Sequence, residues 1–244
     1  MKTHSSAPSY RPLYDQIKVL LTQSLSGGEW RPGEAIPSEV DLALRFKVSQ
    51  GTVRKAIDEL AAENILVRRQ GKGTFVASHS EAHSTTRFLR IVADGGKKET
   101  PESRLIECRS EKAAQDVARR LGVRAGAAIH VLLRILVLSG KPLILDKIYL
   151  PDALFPGLEA EHIGSYKGSY YSFFESQYGI AMIRAEESLK AVAAESEAAL
   201  LLGVAPGTPL LSADRIAYTY GNRPVEWRRG LYVTADHSYR NELT

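Results

Sequence analysis

Apolar side chains recur at intervals of three and four positions between residues 37 and 62, which predicts two short amphipathic helices. Ser38 and Ser49 each precede one apolar stripe and suit the N-cap position. Asp41 falls in the first turn of the first helix, where a negative charge is favoured. Because only two residues separate the helices, the pattern is that of a helix-turn-helix. The apolar stripes consist of Leu42, Ala43 and Phe46, and of Val53, Ala56, Ile57 and Leu60.

The second predicted helix has a polar, basic face opposite its apolar stripe. Gln50 and Arg54 lie four residues apart and project from the same side, near Gly51 and Lys55. Gln can hydrogen-bond to adenine, Arg can bind guanine or a phosphate, and glycine lets the backbone approach closely. These features predict that the helix enters the major groove of DNA, although the solvated face of any amphipathic helix shares the pattern.

A short basic hairpin follows the two helices. Residues 66–70 and 74–77 are strand-like runs, and Gly71-Lys72-Gly73 joins them as a turn with one cation between two glycines. A hairpin in this place is typical of a wing, whose tip can reach a phosphate or the minor groove. The order helix, helix, hairpin therefore predicts a winged helix-turn-helix.

A small, polar stretch over residues 79–86 predicts a linker between a first domain at 8–78 and a second at 87–244. In the second domain, Ser139-Gly140 and Gly221-Asn222 each separate two apolar runs and indicate hairpins. This pattern predicts an α+β domain with a largely antiparallel sheet. Strands are predicted at 87–92, 103–109, 128–138, 141–150, 180–192, 210–220 and 224–233, and helices at 110–121, 172–178 and 196–202.

Composition narrows the class of protein only slightly. The 244 residues suit one large or two modest domains, and the net charge is +4. Cys108 is the single cysteine, so no intramolecular disulfide can form, which predicts a reducing, cytoplasmic location. The six histidines lack paired spacing and no glycine-rich phosphate loop occurs, so neither a metal nor a cofactor is expected. No signal segment, membrane span or membrane partner is expected either.

Four motifs lie between residue 10 and about residue 78. They are Pro12-Leu13-Tyr14-x-Gln16-Ile17, Arg31-Pro32-Gly33-Glu34-x-Ile36-Pro37-Ser38-Glu39, Val48-Ser49-x-x-Thr52-Val53-Arg54-x-Ala56-Ile57-x-x-Leu60 and Arg69-Gln70-Gly71-x-Gly73-Thr74-Phe75-Val76. Together they resemble the N-terminal domain of the GntR family of bacterial transcription regulators. Val40 and Gln50 depart from residues common in that family, so the resemblance predicts no operator sequence. The resemblance and the residue chemistry indicate DNA contacts at Ser49, Gln50, Gly51, Thr52, Arg54 and Lys55, and in the wing at Gln70, Gly71, Lys72 and Gly73.

Further motifs run almost to the end of the chain. They include Arg134 eight residues before Pro142, Leu145-Asp146, Tyr149-Leu150-Pro151, Gly168-Ser169-Tyr170-Tyr171, Tyr178-Gly179, Leu201-Leu202-Gly203-Val204, Gly207-Thr208-Pro209-Leu210-Leu211, Pro224-Val225-Glu226 and Tyr232. They resemble UTRA, the effector-binding domain of the HutC branch, which shares its fold with chorismate lyase. The resemblance implies a pocket for a small anionic metabolite, a carboxylate or a phosphorylated compound. The implied effector site consists of Arg134, Asp146, Ser169, Tyr171, Glu226 and Tyr232.

Within that implied site, Arg134 matches the arginine that holds the anion. Leu136 stands where many sugar-phosphate-sensing members have a second arginine, which favours a carboxylate ligand. Arg87, Arg90 and Arg228 are candidates for another cation. The alternative for Arg134 is a half-exposed strand residue that pairs with Asp146 or Glu226 across the sheet.

The sequence as a whole predicts a cytoplasmic transcription regulator, most simply a repressor, rather than an enzyme. By analogy with the family, two winged domains of a homodimer read the half-sites of a pseudo-palindromic double-stranded operator. We expect the C-terminal sheet to form the dimer interface and a metabolite to modulate DNA binding. Two alternatives are a lyase-like catalytic domain fused to a DNA-binding head, and a DNA binder that ignores metabolites.

Overall fold

The structure is a computed structural model that describes residues 11–79, 89–95 and 100–241. The chain divides into two compact units, Met1–Ala77 and Ser78–Thr244. Each unit has a hydrophobic core of its own.

The first unit contains three helices followed by a two-stranded hairpin. The helices are α1 (Leu13–Ser26), α2 (Glu39–Phe46) and α3 (Gln50–Ala62), and the antiparallel strands are β1 (Leu66–Arg69) and β2 (Gly73–Val76). The apolar stripe of α3 is fully buried, as predicted, and packs with the buried side of α1. The buried residues of this core include Ile17, Leu21 and Leu25 of α1, Leu42 of α2, and Val53, Ala56, Ile57 and Leu60 of α3.

Local capping fixes the ends of the two central helices. The Oγ atom of Ser38 accepts a hydrogen bond from the Asp41 backbone N–H at 3.2 Å, and Ser49 does the same for Thr52 at 3.2 Å. Lys47 ends α2 in a left-handed conformation with φ of 54°, which turns the chain sharply into α3. The predicted caps and the predicted turn are therefore confirmed.

The second unit is built on one six-stranded antiparallel sheet, which confirms the predicted α+β class. The strand order is β4-β5-β6-β9-β8-β7, and a separate pair joins β3 and β10. Both predicted hairpins, β5–β6 and β8–β9, are present. The elements are β3 (Ile91–Ala93), β4 (Glu102–Lys112), α4 (Gln115–Leu121), β5 (Ala128–Leu138), β6 (Lys141–Pro151), α5 (Ala160–Ser165), α6 (Tyr170–Tyr178), β7 (Arg184–Ala193), α7 (Ser196–Leu202), β8 (Pro209–Thr219), β9 (Arg223–Tyr232) and β10 (His237–Tyr239).

Helices cover both faces of this sheet. On one face, α4 and α7 pack on apolar residues such as Val131 and Ile135 of β5. On the other face, α5 and α6 pack on Leu132 and Ile148, and further along the strands β3 packs on Leu136. Because side chains alternate along a strand, Arg134 shares the face of Leu132 and Leu136 and lies between these two apolar clusters.

Several predicted boundaries are wrong. The helix predicted at 172–178 begins at Tyr170, and β3 begins only at Ile91, after residues 89 and 90 of the strand predicted at 87–92. Residues 110–112 extend β4 instead of starting a helix, since they pair with β5, and α4 begins only at Gln115. The strand predicted at 180–192 begins at Arg184. His79, the first residue of the predicted linker, is buried in the second unit, and residues 80–86 lie outside the described residues.

Candidate DNA-binding surface and effector site

The predicted DNA-contacting residues of α3 lie at its first two turns. Gln50, Gly51, Arg54 and Lys55 are exposed, and Thr52 is half-buried. The Ser49 hydroxyl is held at the N-cap, 2.9 Å from the Thr52 hydroxyl oxygen, and a helix start leaves backbone N–H groups without partners inside the helix. This end of α3 can therefore approach an anion with backbone and side chains together.

Glu39 at the start of α2 connects several of these side chains. Its carboxylate accepts hydrogen bonds from Gln50 Nε2 at 3.3 Å, from Arg54 Nε at 2.9 Å and from Arg68 Nη1 at 2.9 Å. Burial raises the pKa of Glu39, but the hydrogen bonds from Arg68, Arg54 and Gln50 outweigh burial, so this pKa lies below its usual value. Arg68 also donates to Asp58 at 2.7 Å.

Sequence reasoning missed this role of Glu39 and Arg68. Glu39 was visible only as the last residue of the second N-terminal motif, and Arg68 only as part of a basic strand. The contacts depend on how β1 packs beside α2 and α3, which no local pattern reports.

The hairpin tip presents Gln70, Gly71, Lys72 and Gly73 to solvent. Gly71 and Gly73 have φ of 70° and 108°, a region that other residues rarely adopt, which explains the two glycines around Lys72. The Lys55 ammonium nitrogen lies 3.8 Å from the centroid of the Tyr14 ring on α1, so its cation–π contact directs it toward that helix.

The predicted effector residues of the second unit meet in a buried cluster of charges. Arg134 on β5 lies directly opposite Asp146 on β6 and donates from Nε and Nη2 to Oδ2 of Asp146, at 3.0 and 2.8 Å. Arg228 on β9 donates from Nη1 to the same oxygen at 3.2 Å. The alternative pairing of Arg134 with Asp146 is therefore present, but Arg134 is buried rather than half-exposed.

Glu226 continues this network along β9. It accepts from Arg228 Nε and Nη2 at 3.0 and 2.8 Å, and from the Tyr171 hydroxyl at 2.9 Å. Arg215, opposite Arg228 on β8, donates to Glu187 on β7 at 2.8 Å. Sequence reasoning named Arg228 only as a candidate cation and did not find Arg215 or Glu187.

The electrostatics of the cluster favour the charged form of Asp146. Burial alone would raise the pKa of Asp146, but the charges of Arg228 and Arg134 outweigh burial and hold this pKa below its ordinary value. Burial raises the pKa of Tyr171, so this side chain stays a neutral hydrogen-bond donor. The Oδ1 atom of Asp146 is buried without a hydrogen-bond partner.

The remaining predicted residues lie around the cluster in different roles. Ser169 caps α6, where its hydroxyl accepts from the Ser172 N–H at 3.1 Å. Tyr232 is buried near Asp146, and both lie against Gly230, where a Cβ would come within 2.6 Å of the Tyr232 ring. Leu136 lies in an apolar cluster, Arg90 is exposed, and Arg87 lies outside the described residues.

A surface cavity of about 440 Å³ lies beside α5 and α6, away from the charged cluster. None of the six predicted effector residues lines this cavity. Its lining consists of His162, Ser165, Tyr166, Lys167, Phe173, Gln177 and Tyr178.

The first residues of the second unit contact the helix that covers the cluster. The Ser78 hydroxyl and the His79 backbone N–H both donate to the Glu175 carboxylate on α6, the latter at 2.9 Å. His79 is buried, with Nε2 2.9 Å from the Met182 carbonyl oxygen and its ring 5.5 Å from that of Tyr171. Tyr171 thus contacts both the entry to the unit and the charged cluster.

Neither a metal-binding cluster nor a membrane-spanning helix occurs within the described ranges. No three His, Cys, Asp or Glu side chains in them gather as a metal site requires. No helix in the described part of the chain is long and apolar enough to cross a bilayer.

Both units match models of known protein families. Residues 13–76 match the bacterial regulatory proteins of the gntR family, and residues 96–238 match the UTRA domain. The HTH-type transcriptional repressor NagR of Bacillus subtilis is 30% identical, over 91% of this chain and 90% of its own length. The histidine utilization repressor of Pseudomonas putida is 28% identical, over 93% and 90%.

Solved structures agree with these matches. A Bordetella bronchiseptica structure, described as the ligand-binding domain of a GntR-family transcriptional regulator, is 47% identical, with a TM-score of 0.62. The match covers 65% of this chain and 98% of that one. The chain therefore belongs to the GntR family of bacterial transcription regulators, of the HutC type, with a DNA-binding domain followed by a UTRA effector-binding domain.

Proposed function

We propose that this protein is a repressor that binds a pseudo-palindromic operator as a homodimer and responds to a small anionic metabolite in its UTRA domain. Relatives named as repressors, among them NagR and the histidine utilization repressor, support the direction of control. The exposed first turns of α3 and the glycine-flanked tip of the hairpin support two kinds of DNA contact, one in each groove.

On the DNA side, we infer that phosphate or base oxygens replace Glu39 on the arginines of this surface. Arg54 and Arg68 are both exposed, and Arg54 pairs with Glu39 through Nε only, while a guanidinium carries five N–H donors. Exposed ion pairs contribute little free energy, so a phosphate can displace the carboxylate at small cost. Gln50 hydrogen-bonds to the same carboxylate and would be released together with Arg54.

The observation that carries the proposed control by an effector is the continuous path from the charged cluster to Ser78 and His79. A ligand at Arg134 and Glu226 changes the surroundings of Tyr171, because the Tyr171 hydroxyl is bound to Glu226. Movement of Tyr171 then acts on the His79 ring. His79 is the second residue after the first unit. This path therefore links the ligand site to the segment that connects the two units.

The long outer strand of the second unit supports the proposed dimer. Strand β7 is an edge of the six-stranded sheet, and Leu189 and Val192 on it are exposed hydrophobic residues. An exposed ten-residue edge strand is a surface on which another copy of the chain can pair. Sedimentation of the full-length protein at several concentrations would reveal a dimer, and a monomer at operator-binding concentrations would contradict it.

The test of the proposed function uses the full-length protein and DNA from upstream of its own gene. A thermal-shift screen with carboxylates and sugar phosphates identifies compounds that raise the melting temperature. Fluorescence anisotropy then measures operator affinity with and without each such compound. We expect Arg134→Gln to bind the operator as the unaltered protein does and to lose the response to the compound.

Arg119→Gln is the matched control, because Arg119 is an exposed arginine of α4 in the same unit. It should keep both operator binding and the response. If Arg134→Gln also loses operator binding, Arg134 has a structural role, and if no stabilising compound alters operator affinity, the proposed control by a metabolite is wrong.

A further inference from the structure

We propose that the effector is a zwitterion, an amino acid or a close derivative, whose carboxylate replaces Asp146 between Arg134 and Arg228 while its ammonium group pairs with Asp146. This inference rests on the proposed function and narrows it, because the metabolite bound at that site would carry an ammonium group together with its anionic carboxylate. It is carried by the charge balance of the cluster, by the geometry at Asp146 and by the position of Arg228.

The buried cluster has no excess of positive charge to offer to an anion. Among the described residues it combines three guanidinium groups with three carboxylates, and each of these side chains is at most 17% exposed. A purely anionic ligand would displace one carboxylate from its arginines and leave it charged and unpaired in the interior, which is strongly unfavourable. The six residues are Arg134, Arg215, Arg228, Asp146, Glu187 and Glu226.

A zwitterion avoids this cost by exchanging one ion pair for two. Its carboxylate takes the hydrogen bonds that Arg134 and Arg228 now give to Asp146, and its ammonium group donates to the released Asp146 carboxylate. The number of buried positive and negative charges stays equal, so no charge is left without a partner.

Asp146 retains one acceptor oxygen that receives no hydrogen bond from the described residues. Both arginines donate to Oδ2, whereas Oδ1 is buried and accepts no hydrogen bond. Oδ1 lies over Gly230, where a Cβ would be 3.0 Å from this oxygen, so any larger residue would crowd it. An ammonium group has three donors and suits an acceptor of this kind.

Arg228 supplies the second cation that position 136 lacks. Leu136 lies in an apolar cluster, while Arg228 reaches the same carboxylate oxygen as Arg134 from the other side of Asp146. Tyr170 and Tyr171 lie against the two guanidinium groups, with ring centroids 4.3 and 5.2 Å away. Two guanidiniums that converge on one oxygen can hold a single carboxylate.

Calorimetric titration of the full-length protein with matched pairs of compounds tests this inference. Each of the twenty protein amino acids is compared with the carboxylic acid that lacks only its amino group, and glucose 6-phosphate and inorganic phosphate serve as anions without an ammonium group. We expect at least one amino acid to bind, with its deaminated partner at least about a hundredfold weaker. Equal binding of the deaminated acid, binding of the phosphates alone, or no binding by any compound would overturn the proposal.

Asp146→Asn should reverse this preference, because it removes the partner of the ammonium group and gives the cluster a net positive charge. The deaminated acid should then bind more tightly than the amino acid. Asp214→Asn is the control, since Asp214 lies on β8 but pairs with Arg120 on the opposite face. The comparison of compounds on the unaltered protein stands even if Asp146→Asn fails to fold. An amino acid that binds without changing operator affinity would contradict the proposed function and leave the ligand class intact.

Discussion

The two units of this protein each contain a carboxylate that joins two arginines, but the surroundings of these carboxylates differ. Glu39, which is itself 14% exposed, joins Arg54 and Arg68, whose side chains are 56% and 42% exposed. Asp146 joins two arginines that are only 7% and 8% exposed, and it is itself almost inaccessible. A carboxylate shared by two arginines therefore occurs once at the surface of the protein and once in its interior.

This difference in burial decides what each arrangement can do. An exposed ion pair is worth roughly 0–1 kcal/mol, so its arginines exchange partners readily when DNA phosphates arrive. Breaking a buried pair by removing one partner costs about 3–5 kcal/mol, because the remaining charge is left in a medium of low polarity. The buried cluster therefore opens only for a ligand that replaces the contacts it disrupts.

The largest expected effect is on the free energy of unfolding. Asp146→Ala should destabilise the second unit by about 3–5 kcal/mol, because two arginines lose their shared acceptor. Glu39→Ala should destabilise the first unit by about 1 kcal/mol or less. Urea denaturation of both variants measures the two changes, and similar losses would show that burial does not separate the two clusters.

Acid should reveal the same ion pairs through their pKa values. In the folded protein, Arg228 and Arg134 lower the pKa of Asp146, although burial acts in the opposite direction. The pairing of Asp146 therefore stabilises the fold fully at pH values above the unfolded pKa of about 4. That contribution is lost as the pH falls from about 4 through the lower folded pKa. As the pH falls through this range, the free energy of unfolding should decrease less steeply for Asp146→Asn than for the unaltered protein. An identical slope would mean that Asp146 is not held charged.

On the exposed surface, Arg54→Ala should weaken operator binding by about 1–3 kcal/mol. It should also reduce the slope of log K against log salt by about one, because one phosphate contact disappears. Anisotropy titrations at several salt concentrations measure both quantities, with the exposed Lys141→Ala of the second unit as control. An unchanged salt slope would remove Arg54 from the phosphate contacts.

The smallest expected effect concerns Glu39→Gln, which removes a negative charge from the proposed DNA-binding surface. Binding to unrelated DNA should tighten by roughly 0.5–1 kcal/mol, because DNA phosphates no longer compete with the Glu39 carboxylate for Arg54 and Arg68. The ratio of operator affinity to affinity for unrelated DNA should fall, because Gln50 and Arg54 lose the carboxylate that holds both of them. Weaker binding to all sequences would show that Glu39 positions these side chains more than it competes for them.

The helix-turn-helix and the hairpin of the first unit were predictable because their signals are local. Ser38 and Ser49 are caps that act within three residues, and the glycines around Lys72 are required by the backbone of a tight hairpin. In the second unit, strands β5 and β6 were predictable for the same reason, because Ser139-Gly140 marks the turn between them. Helices α1 and α5 were not predicted, and their stability comes from packing against other elements.

The buried cluster was only partly predictable because it depends on strand order. Arg134 and Asp146 lie twelve residues apart in one hairpin, so their pairing could be named as an alternative from the sequence. Arg228 reaches the same carboxylate only because β9 pairs with β6, which no local pattern reveals. Arg215 and Glu187 joined the cluster through the outer strands in the same way.

The central claim is that DNA and effector binding are coupled, and reciprocity tests it most directly. If a ligand changes operator affinity by some factor, operator DNA must change ligand affinity by the same factor. Calorimetric titration of the stabilising compound into the free protein and into the protein–operator complex measures this factor. We predict a difference of about 5- to 150-fold that equals the effect of the compound on operator binding. Equal ligand affinity in the two titrations would contradict the account and identify a DNA binder that is independent of its UTRA ligand.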